Sequence, residues 1–332
     1  MKKIAIFSAH NFEKPYLESA IQNTPLKLSY FDTRLNSDSV TLAKGFSIIS
    51  CFVTDHLDHS VLKMLKEGGT KLIALRSAGF NHVDIKAADQ LGLVVLRVPE
   101  YSPYAVAEFA VGLILSLNRK IHKAFLRTTE HNFLLDGLLG FDLNGRTVGV
   151  IGTGKIGSIF CKIMLGFGCK LLAFDPAPNE VCQSIGVEYT NLKRLYNESD
   201  IISLHCPLNE NSHHLINADS IEQMRNNVML INTGRGGLID TKAIIDGLKS
   251  RKIGYLGLDV YEEEENLFFQ DLSSNIIQDD NFLRLLTFPN VIITGHQAFF
   301  TDEALKNIAQ TTVANIVCFL KGKECATKIS SQ

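Results

Sequence analysis

Three polar side chains stand just past short apolar runs. Arg235 follows Val228–Asn232 in Thr233-Gly234-Arg235-Gly236-Gly237, and His296 follows Asn290–Thr294 in Gly295-His296-Gln297-Ala298-Phe299. Asp259 lies near the end of Gly254–Val260, with four glutamates, Glu262 to Glu265, directly beyond it. An arginine offers a planar fork that stays charged and binds a carboxylate through two parallel hydrogen bonds. A histidine exchanges a proton near neutral pH, and a carboxylate on its second ring nitrogen fixes the tautomer and favours the protonated ring. Such a set suits a reaction that holds a substrate carbonyl, stabilises its oxygen and supplies or removes one proton. Spacing alone leaves open which of the four glutamates partners the histidine. Taken singly, each residue also has an ordinary use, as surface arginine, hydrogen-bonded histidine or solvated acidic run. Their convergence on strand ends is what points to chemistry.

Strands that end in these residues must be held side by side. Val228–Asn232, Gly254–Val260 and Asn290–Thr294 read as short buried strands, as do Thr147–Ile151, Lys170–Phe174 and Asp200–His205, and Thr241–Ser250 reads as a helix. Alternating β and α segments predict a doubly wound parallel sheet, whose ligands bind at the carboxyl ends of the strands. The strongest local signal is Arg146–Asp175. Thr147–Ile151 runs into Gly152-Thr153-Gly154-Lys155-Ile156-Gly157, with G-x-G-x-x-G spacing. Ile156, Ile159, Phe160, Ile163 and Met164 then repeat at helical intervals, Gly168 stops the helix, and Asp175 closes the next strand 21 positions after Gly154. Gly152 permits the tight turn, Gly154 lets backbone N–H groups approach a pyrophosphate, and Gly157 lets the helix pack close on the strand. The helix N-terminus adds positive potential for the phosphates. Asp175 would accept hydrogen bonds from the adenosine ribose and repel a 2′-phosphate, which favours NAD over NADP. A nicotinamide cofactor moves a hydride, and the arginine, histidine and carboxylate would serve the carbonyl that receives it.

Residues 1–100 repeat the alternation without the glycine fingerprint. Strands read at Lys3–Phe7, Lys27–Tyr30, Phe46–Val53, Lys71–Arg76 and Leu93–Val98, and helices at Pro15–Gln22, Ser60–Lys66 and Val83–Leu91. They predict a small parallel sheet of its own. The turn Ser77-Ala78-Gly79 follows a strand; its N–H groups suit a carboxylate, and equally an ordinary βα loop. Pro99 and Pro103 bracket Glu100, Tyr101 and Ser102 and mark a hinge. The helix Ala105–Asn118 is apolar on nearly every side and is expected to be covered by another domain or subunit. Residues 122–142 read only as a helix and a loop, and the helix Asp302–Leu320 is expected to carry the chain back to the first domain.

The 332 residues suffice for two domains, and 45% hydrophobic with 20% charged residues describes a globular chain. A net charge of −2 supplies no basic field for nucleic acid. The opening MKKIAIFS resembles the start of a signal peptide, but its apolar run is short and His10, Asn11, Glu13 and Lys14 follow, so it reads as a strand. The longest apolar run, Ala105–Leu117, contains Glu108 and is too short to span a bilayer. Seven cysteines, at 51, 161, 169, 182, 206, 318 and 325, show no framework spacing, so reduced thiols in a cytoplasmic protein are expected. No metal-ligand spacing stands out, and His213-His214 reads as surface and core.

The segments Gly152–Gly157, His205-Cys206-Pro207-Leu208, Asn232-Thr233-Gly234-Arg235-Gly236, Leu258-Asp259-Val260-Tyr261-Glu262 and Gly295–Phe299 resemble the D-isomer-specific 2-hydroxyacid dehydrogenases, over essentially the whole chain. Leu267-Phe268-Phe269, Ile276-Ile277-Gln278-Asp279-Asp280 and Val98–Pro103 are most similar to members that make D-lactate in fermentation. The resemblance implies two Rossmann-like doubly wound α/β domains with a cleft between them. The substrate (catalytic) domain would be discontinuous, 1–100 plus 300–332, and 101–299 would bind NAD. It implies reduction of pyruvate to D-lactate, with Arg235 on the substrate carboxylate and ketone oxygen, His296 as proton donor and Glu264 as its partner. Ala78, Gly79, Tyr101 and Phe299 would line the substrate pocket. Gly152, Gly154, Lys155, Ile156, Gly157, Asp175, Cys206, Pro207, Thr233, Gly234 and Asp259 would contact NAD. A homodimer or homotetramer is implied, with Ala105–Asn118 in a subunit interface. Relatives acting on hydroxypyruvate, glyoxylate or branched-chain 2-oxo acids share these features, and an NADH-sensing binding protein is a further alternative. The chain departs from many relatives at Ser212, where they carry Asn, with Asn211 one place earlier. It also has no Trp and a glycine-rich turn at 233–237.

Overall fold

The computed structural model describes residues 1–331; Gln332, the last residue of the expected 300–332 segment, lies outside the described residues. In chain order the strands of the first half are β1 (Lys2–Ile6), β2 (Leu26–Tyr30), β3 (Ile48–Cys51), β4 (Leu72–Leu75), β5 (Val94–Leu96) and β6 (Thr147–Ile151). There follow β7 (Lys170–Phe174), β8 (Glu188–Tyr189), β9 (Ile201–Leu204), β10 (Val228–Asn232), β11 (Ile253–Leu258), β12 (Val291–Ile293) and β13 (Lys328–Ile329). The chain divides into two compact units, residues 1–102 with the stretch from Phe300, and Pro103–Phe299.

The first unit holds one sheet in the order β13-β5-β4-β3-β1-β2. Five strands run parallel, and β13 joins the edge antiparallel to β5. Strand side chains alternate between the two faces. Ile4, Ile6, Leu72 and Leu96 pack with Ala309, Val313 and Ile316 of the helix Asp302–Leu320. Ala5, Ile49, Ile73 and Val95 face the other way, against Val61, Leu62 and Leu65 of the helix His59–Glu67. The C-terminal helix therefore belongs to the sheet formed by the N-terminal strands.

Two networks of buried charges secure the strand ends of this unit. The Arg76 side chain is fully buried and forms a bidentate pair with Glu13, Nε to Oε2 at 2.8 Å and Nη2 to Oε1 at 3.0 Å. It also donates to the Phe7 and Ser8 carbonyls at 2.8 and 3.1 Å. The Asp55 carboxylate accepts from Ser8 Oγ at 2.6 Å and from the Leu35 and Phe52 N–H groups at 2.8 and 2.7 Å. Burial raises its carboxyl above the usual range, and these donors oppose that rise. Both networks tie β1, β3 and β4 together where the Ser77–Gly79 turn begins.

In this unit Cys318 and Cys325 form a disulfide, Cα to Cα 6.1 Å, which corrects the expectation that all seven thiols are reduced. Their separation of seven residues matches no framework spacing. The turn between the last helix and β13 brings them together.

The second unit is a seven-stranded parallel sheet, order β12-β11-β10-β9-β6-β7-β8. Chain order reverses between β6 and β9, the point at which a doubly wound sheet opens a crevice at its strand ends. One side of the helix Pro103–Arg119 is covered within this unit. Ala107, Ala110, Val111, Leu113, Ile114 and Leu117 are buried against Phe160, Met164, Met229 and Ile231 of the same unit. Tyr104, Glu108 and Gly112, spaced four apart on its other side, are exposed. Exposed apolar residues lie downstream, at Ile121, Phe125 and Leu126 of the helix Ile121–Thr129 and at Phe133, Leu134, Leu135 and Leu139. Among the described residues no helix is long and apolar enough to cross a membrane.

Candidate active site

The three glycines of the β6 turn do different physical work. Gly152 sits at φ +94°, and a Cβ there would lie 2.5 Å from Cys206 N, across the crevice from β9. At Gly157 a Cβ would lie 2.0 Å from the Gly152 carbonyl oxygen, so only glycine lets the helix Lys155–Gly166 approach its strand. Gly154 is exposed, with no atom within 4 Å of where its Cβ would be. That open space, ahead of the first intrahelical bond from Ser158 N to Gly154 O (2.9 Å), is where a pyrophosphate fits.

Asp175 ends β7 beside this turn. Its Oδ2 accepts from Thr153 N at 2.7 Å and its Oδ1 from Ala177 N at 2.9 Å. Tyr189 braces the arrangement. Its hydroxyl donates to Thr153 Oγ1 at 2.7 Å and accepts from Asn179 N at 2.8 Å, while Asn179 Nδ2 donates to the Thr153 carbonyl at 2.9 Å. Tyr189 carried no sequence signal, because β8 is two residues long. Replacing Asp175 by Ala removes the negative charge expected to face the ribose. The expected result is loss of NAD preference, read as the ratio of kcat/KM for NADH and NADPH; an unchanged ratio removes the ribose role.

Across the crevice, the Cys206 thiol is pushed up to about 11 by burial, so it is neutral at physiological pH. His205, beside Ser203 Oγ at 2.9 Å, is pushed down to about 3 by burial, so it carries no proton for chemistry. The Pro207 carbonyl accepts from Ser212 Oγ at 2.6 Å, and Ser212 Oγ in turn accepts from Asn209 N at 2.8 Å. Ser212 is therefore spent closing its own loop, and Asn211 is exposed. At the end of β10, the Thr233 hydroxyl is buried with no partner among the described residues. The open ledge at Gly154, the Asp175 carboxylate and this orphan hydroxyl fit a dinucleotide.

Arg235 lies on the turn after β10. Buried Asn232 shapes that turn: its Oδ1 accepts from Gly234 N at 3.0 Å and its Nδ2 donates to the Arg235 carbonyl at 2.8 Å. Among the described residues the guanidinium makes one side-chain hydrogen bond, Nη1 to the Gly234 carbonyl at 2.7 Å. Four of its five N–H donors remain for a ligand.

The structure separates the four glutamates. Glu264 Oε1 lies 2.7 Å from His296 Nδ1, and its Oε2 accepts from Tyr261 N at 2.9 Å. Glu262 is engaged elsewhere, with His214, and Glu263 and Glu265 are exposed. Asp259, fully buried, grips the histidine's turn. It accepts from Thr294 Oγ1 at 2.6 Å, Gln297 N at 2.9 Å and Ala298 N at 2.8 Å, and its own carbonyl accepts from His296 N at 2.8 Å. Burial raises the Asp259 carboxyl, and the three donors offset part of that rise. His296 adopts φ +54°, a left-handed conformation that costs energy in a non-glycine residue and persists where surrounding bonds enforce it. With Nδ1 held by Glu264, Nε2 is the ring atom left to carry a proton outward.

In the first unit the Ala78 carbonyl accepts from Arg97 Nη1 at 3.0 Å and the Gly79 carbonyl from Ser77 Oγ at 2.7 Å. With both carbonyls turned inward, the Ala78 and Gly79 N–H groups donate to no protein acceptor among the described residues, which suits an anionic ligand. The Tyr101 carbonyl is held by Asn307 Nδ2 at 2.6 Å. Phe12 and Phe300 rings meet edge to face at 4.9 Å, and His10 stacks on Phe12 at 5.1 Å. This aromatic cluster at the strand ends was invisible in sequence, because its members come from separate loops. Phe299, half-buried, ends the second unit.

Comparison with known proteins agrees with this geometry. Residues 111–298 match the NAD binding domain of the D-isomer specific 2-hydroxyacid dehydrogenases. The chain is 50% identical to Escherichia coli D-lactate dehydrogenase over 327 residues, 98% of this chain and 99% of that protein. It superposes on the structure described as the pyruvate reductase of Chlamydomonas reinhardtii with a TM-score of 0.93, 42% identity and 98% coverage of both chains. D-lactate dehydrogenase from Aquifex aeolicus, solved with NAD and lactic acid, matches with a TM-score of 0.88, 35% identity and 99% coverage of both. The chain therefore belongs to the NAD-dependent D-isomer specific 2-hydroxyacid dehydrogenases.

Proposed function

We propose that this chain is an NAD-dependent D-lactate dehydrogenase that reduces pyruvate. The observation that carries the reading is the His296–Glu264 pair at 2.7 Å, in the same unit as an Arg235 with four donors to spare. The E. coli, Chlamydomonas and Aquifex relatives, named for D-lactate or pyruvate, support this substrate. When bound, NADH supplies the hydride. Gly152, Gly154, Lys155, Ile156 and Gly157 hold its phosphates, Asp175 its ribose, and Cys206, Pro207, Thr233, Gly234 and Asp259 flank the rest. Arg235 grips the substrate carboxylate through two parallel bonds and polarises the ketone oxygen. His296 presents a proton on Nε2 to that oxygen, and Glu264 stabilises the charged ring and fixes its orientation. In the substrate domain, residues 1–100 plus 300–332, the Ala78 and Gly79 N–H groups offer donors for an anionic ligand. The test is NADH oxidation across a panel of 2-oxo acids with the product's chirality determined. A dominant rate with pyruvate giving D-lactate is expected. Preference for hydroxypyruvate, glyoxylate or a branched acid keeps the mechanism and moves the substrate, and NADH binding without turnover on any of them leaves an NADH sensor.

The enzyme acts in the cytoplasm as a homo-oligomer. Phe133, Leu134, Leu135 and Leu139 are 65–87% exposed beside Phe125 and Leu126, an apolar patch that a second copy would cover. Sedimentation is expected to show at least a dimer. A monomer at micromolar concentration overturns this part.

A further inference from the structure

We propose that His213, His214 and Glu262 form a binding site for a divalent transition-metal ion of the Zn²⁺ class. Their ligand atoms all lie within 4.8 Å of one another, although Glu262 is 48 residues from His214. The two imidazoles stack with ring centroids 3.9 Å apart and planes 24° from parallel, so adjacent residues present their ring edges together. His214 reaches this arrangement through a left-handed backbone, φ +49°. Each histidine is also anchored from outside the set, His213 N to the Asn209 carbonyl and His214 N to the Gly237 carbonyl, both at 2.9 Å.

The carboxylate is oriented as a metal ligand would be. Glu262 Oε2 accepts from Thr241 Oγ1 at 2.8 Å and Thr241 N at 3.3 Å, which leaves Oε1 directed at His214 Nε2, 2.5 Å away. Hydrogen bonding of the non-ligating oxygen is the usual support of a metal carboxylate. His213 is exposed, and its ring makes no hydrogen bond among the described residues. Two imidazoles and one carboxylate with an open side describe a three-ligand zinc site whose fourth position is solvent. Calcium and magnesium demand more oxygen ligands than are present.

In a tetrahedral site with bonds of about 2.0–2.1 Å, neighbouring ligand atoms lie about 3.4 Å apart. The ion therefore replaces the His214–Glu262 hydrogen bond and draws His213 inward. Both changes are side-chain rotations at partly exposed residues. The backbone around the set belongs to three segments, the loop after β9, the turn after β10 and the stretch after β11. A Cβ at Gly236, next to Arg235, would fall 2.4 Å from Glu262 N, so the Glu262 backbone is packed against that turn. An ion bound here cross-links the loop after β9 to the stretch after β11, which packs on the turn after β10, and raises the thermal midpoint.

The experiment is calorimetric titration of Zn²⁺ into the untagged, chelator-stripped full-length protein, alongside His213→Ala and Thr241→Val. Circular dichroism shows whether each variant keeps its fold. One ion per chain is expected. His213→Ala should weaken it by at least about tenfold, and Thr241→Val by about 10–100-fold, the range seen when a ligand's supporting hydrogen bond is lost. Co²⁺ in place of Zn²⁺ should show visible absorption without a thiolate charge-transfer band. No binding, binding unchanged in His213→Ala, or a thiolate band assigning the ion to the cysteines each overturns the proposal. Because the readout is binding rather than turnover, its failure is separate from any failure of the dehydrogenase reading.

Discussion

His296→Ala is expected to lower kcat for 2-oxo acid reduction by about 10²–10⁴-fold, the usual contribution of a positioned general acid, while NADH affinity is unchanged. The ring is held from three directions. Glu264 takes Nδ1 at 2.7 Å, the Asp259 carbonyl takes the backbone N–H at 2.8 Å, and the Asp259 carboxylate secures the two residues that follow. Burial keeps His205, the histidine at the end of β9, neutral. Glu264→Gln keeps a hydrogen-bonding group on Nδ1 but removes the carboxylate charge beside the ring, and it is expected to lose less than His296→Ala. Steady-state rates at saturating NADH, together with NADH fluorescence titration, separate the two effects; the chain has no tryptophan, so the nicotinamide signal is read directly. A His296→Ala variant with near-normal turnover clears the residue of proton transfer.

Arg235→Ala is expected to reduce kcat/KM for the 2-oxo acid by about 10²–10⁴-fold, from losing two charge-assisted hydrogen bonds of about 1.5–3 kcal/mol each. Arg235→Lys should recover only part of this, because an ammonium cannot reproduce the planar fork. The loss belongs to substrate rather than cofactor, so NADH titration again serves as the control. The backbone of the turn should survive both changes. It is shaped by Asn232, whose amide bridges Gly234 N and the Arg235 carbonyl, and by none of the guanidinium's free donors. If Arg235→Lys matches the parent on pyruvate, the bidentate role is wrong.

Much of this architecture was legible before any coordinates. β6, β7 and β10 begin and end where the apolar runs do, and the helix Asp302–Leu320 has the limits its sequence predicts. These elements are buried on both sides or strongly patterned, so local spacing states their environment. The short helices Glu180–Ser184, Leu192–Glu198 and Ala218–Gln223 were not read, because five to seven residues carry too little periodicity. The helix Pro103–Arg119 is legible as a largely buried helix. Its pattern reports that it is buried, and cannot report by what.

The sequence by itself determined the dinucleotide turn, the strand-end positions of Arg235, Asp259 and His296, and the parallel α/β class. Each is written in residues that are neighbours along the chain, where peptide geometry converts spacing directly into position. The family resemblance implied Glu264 as the partner of His296, and the tertiary structure supplies the contact across 32 residues; it alone decided that Glu262 meets His214 across 48. It alone decided that Tyr189 braces Thr153 and that Cys318 meets Cys325. In the glutamate run, adjacent residues of one type sit on successive, differently directed backbone positions. Which direction points at which partner follows from where β11, β12 and the loop after β9 are packed against one another, and no local pattern encodes that.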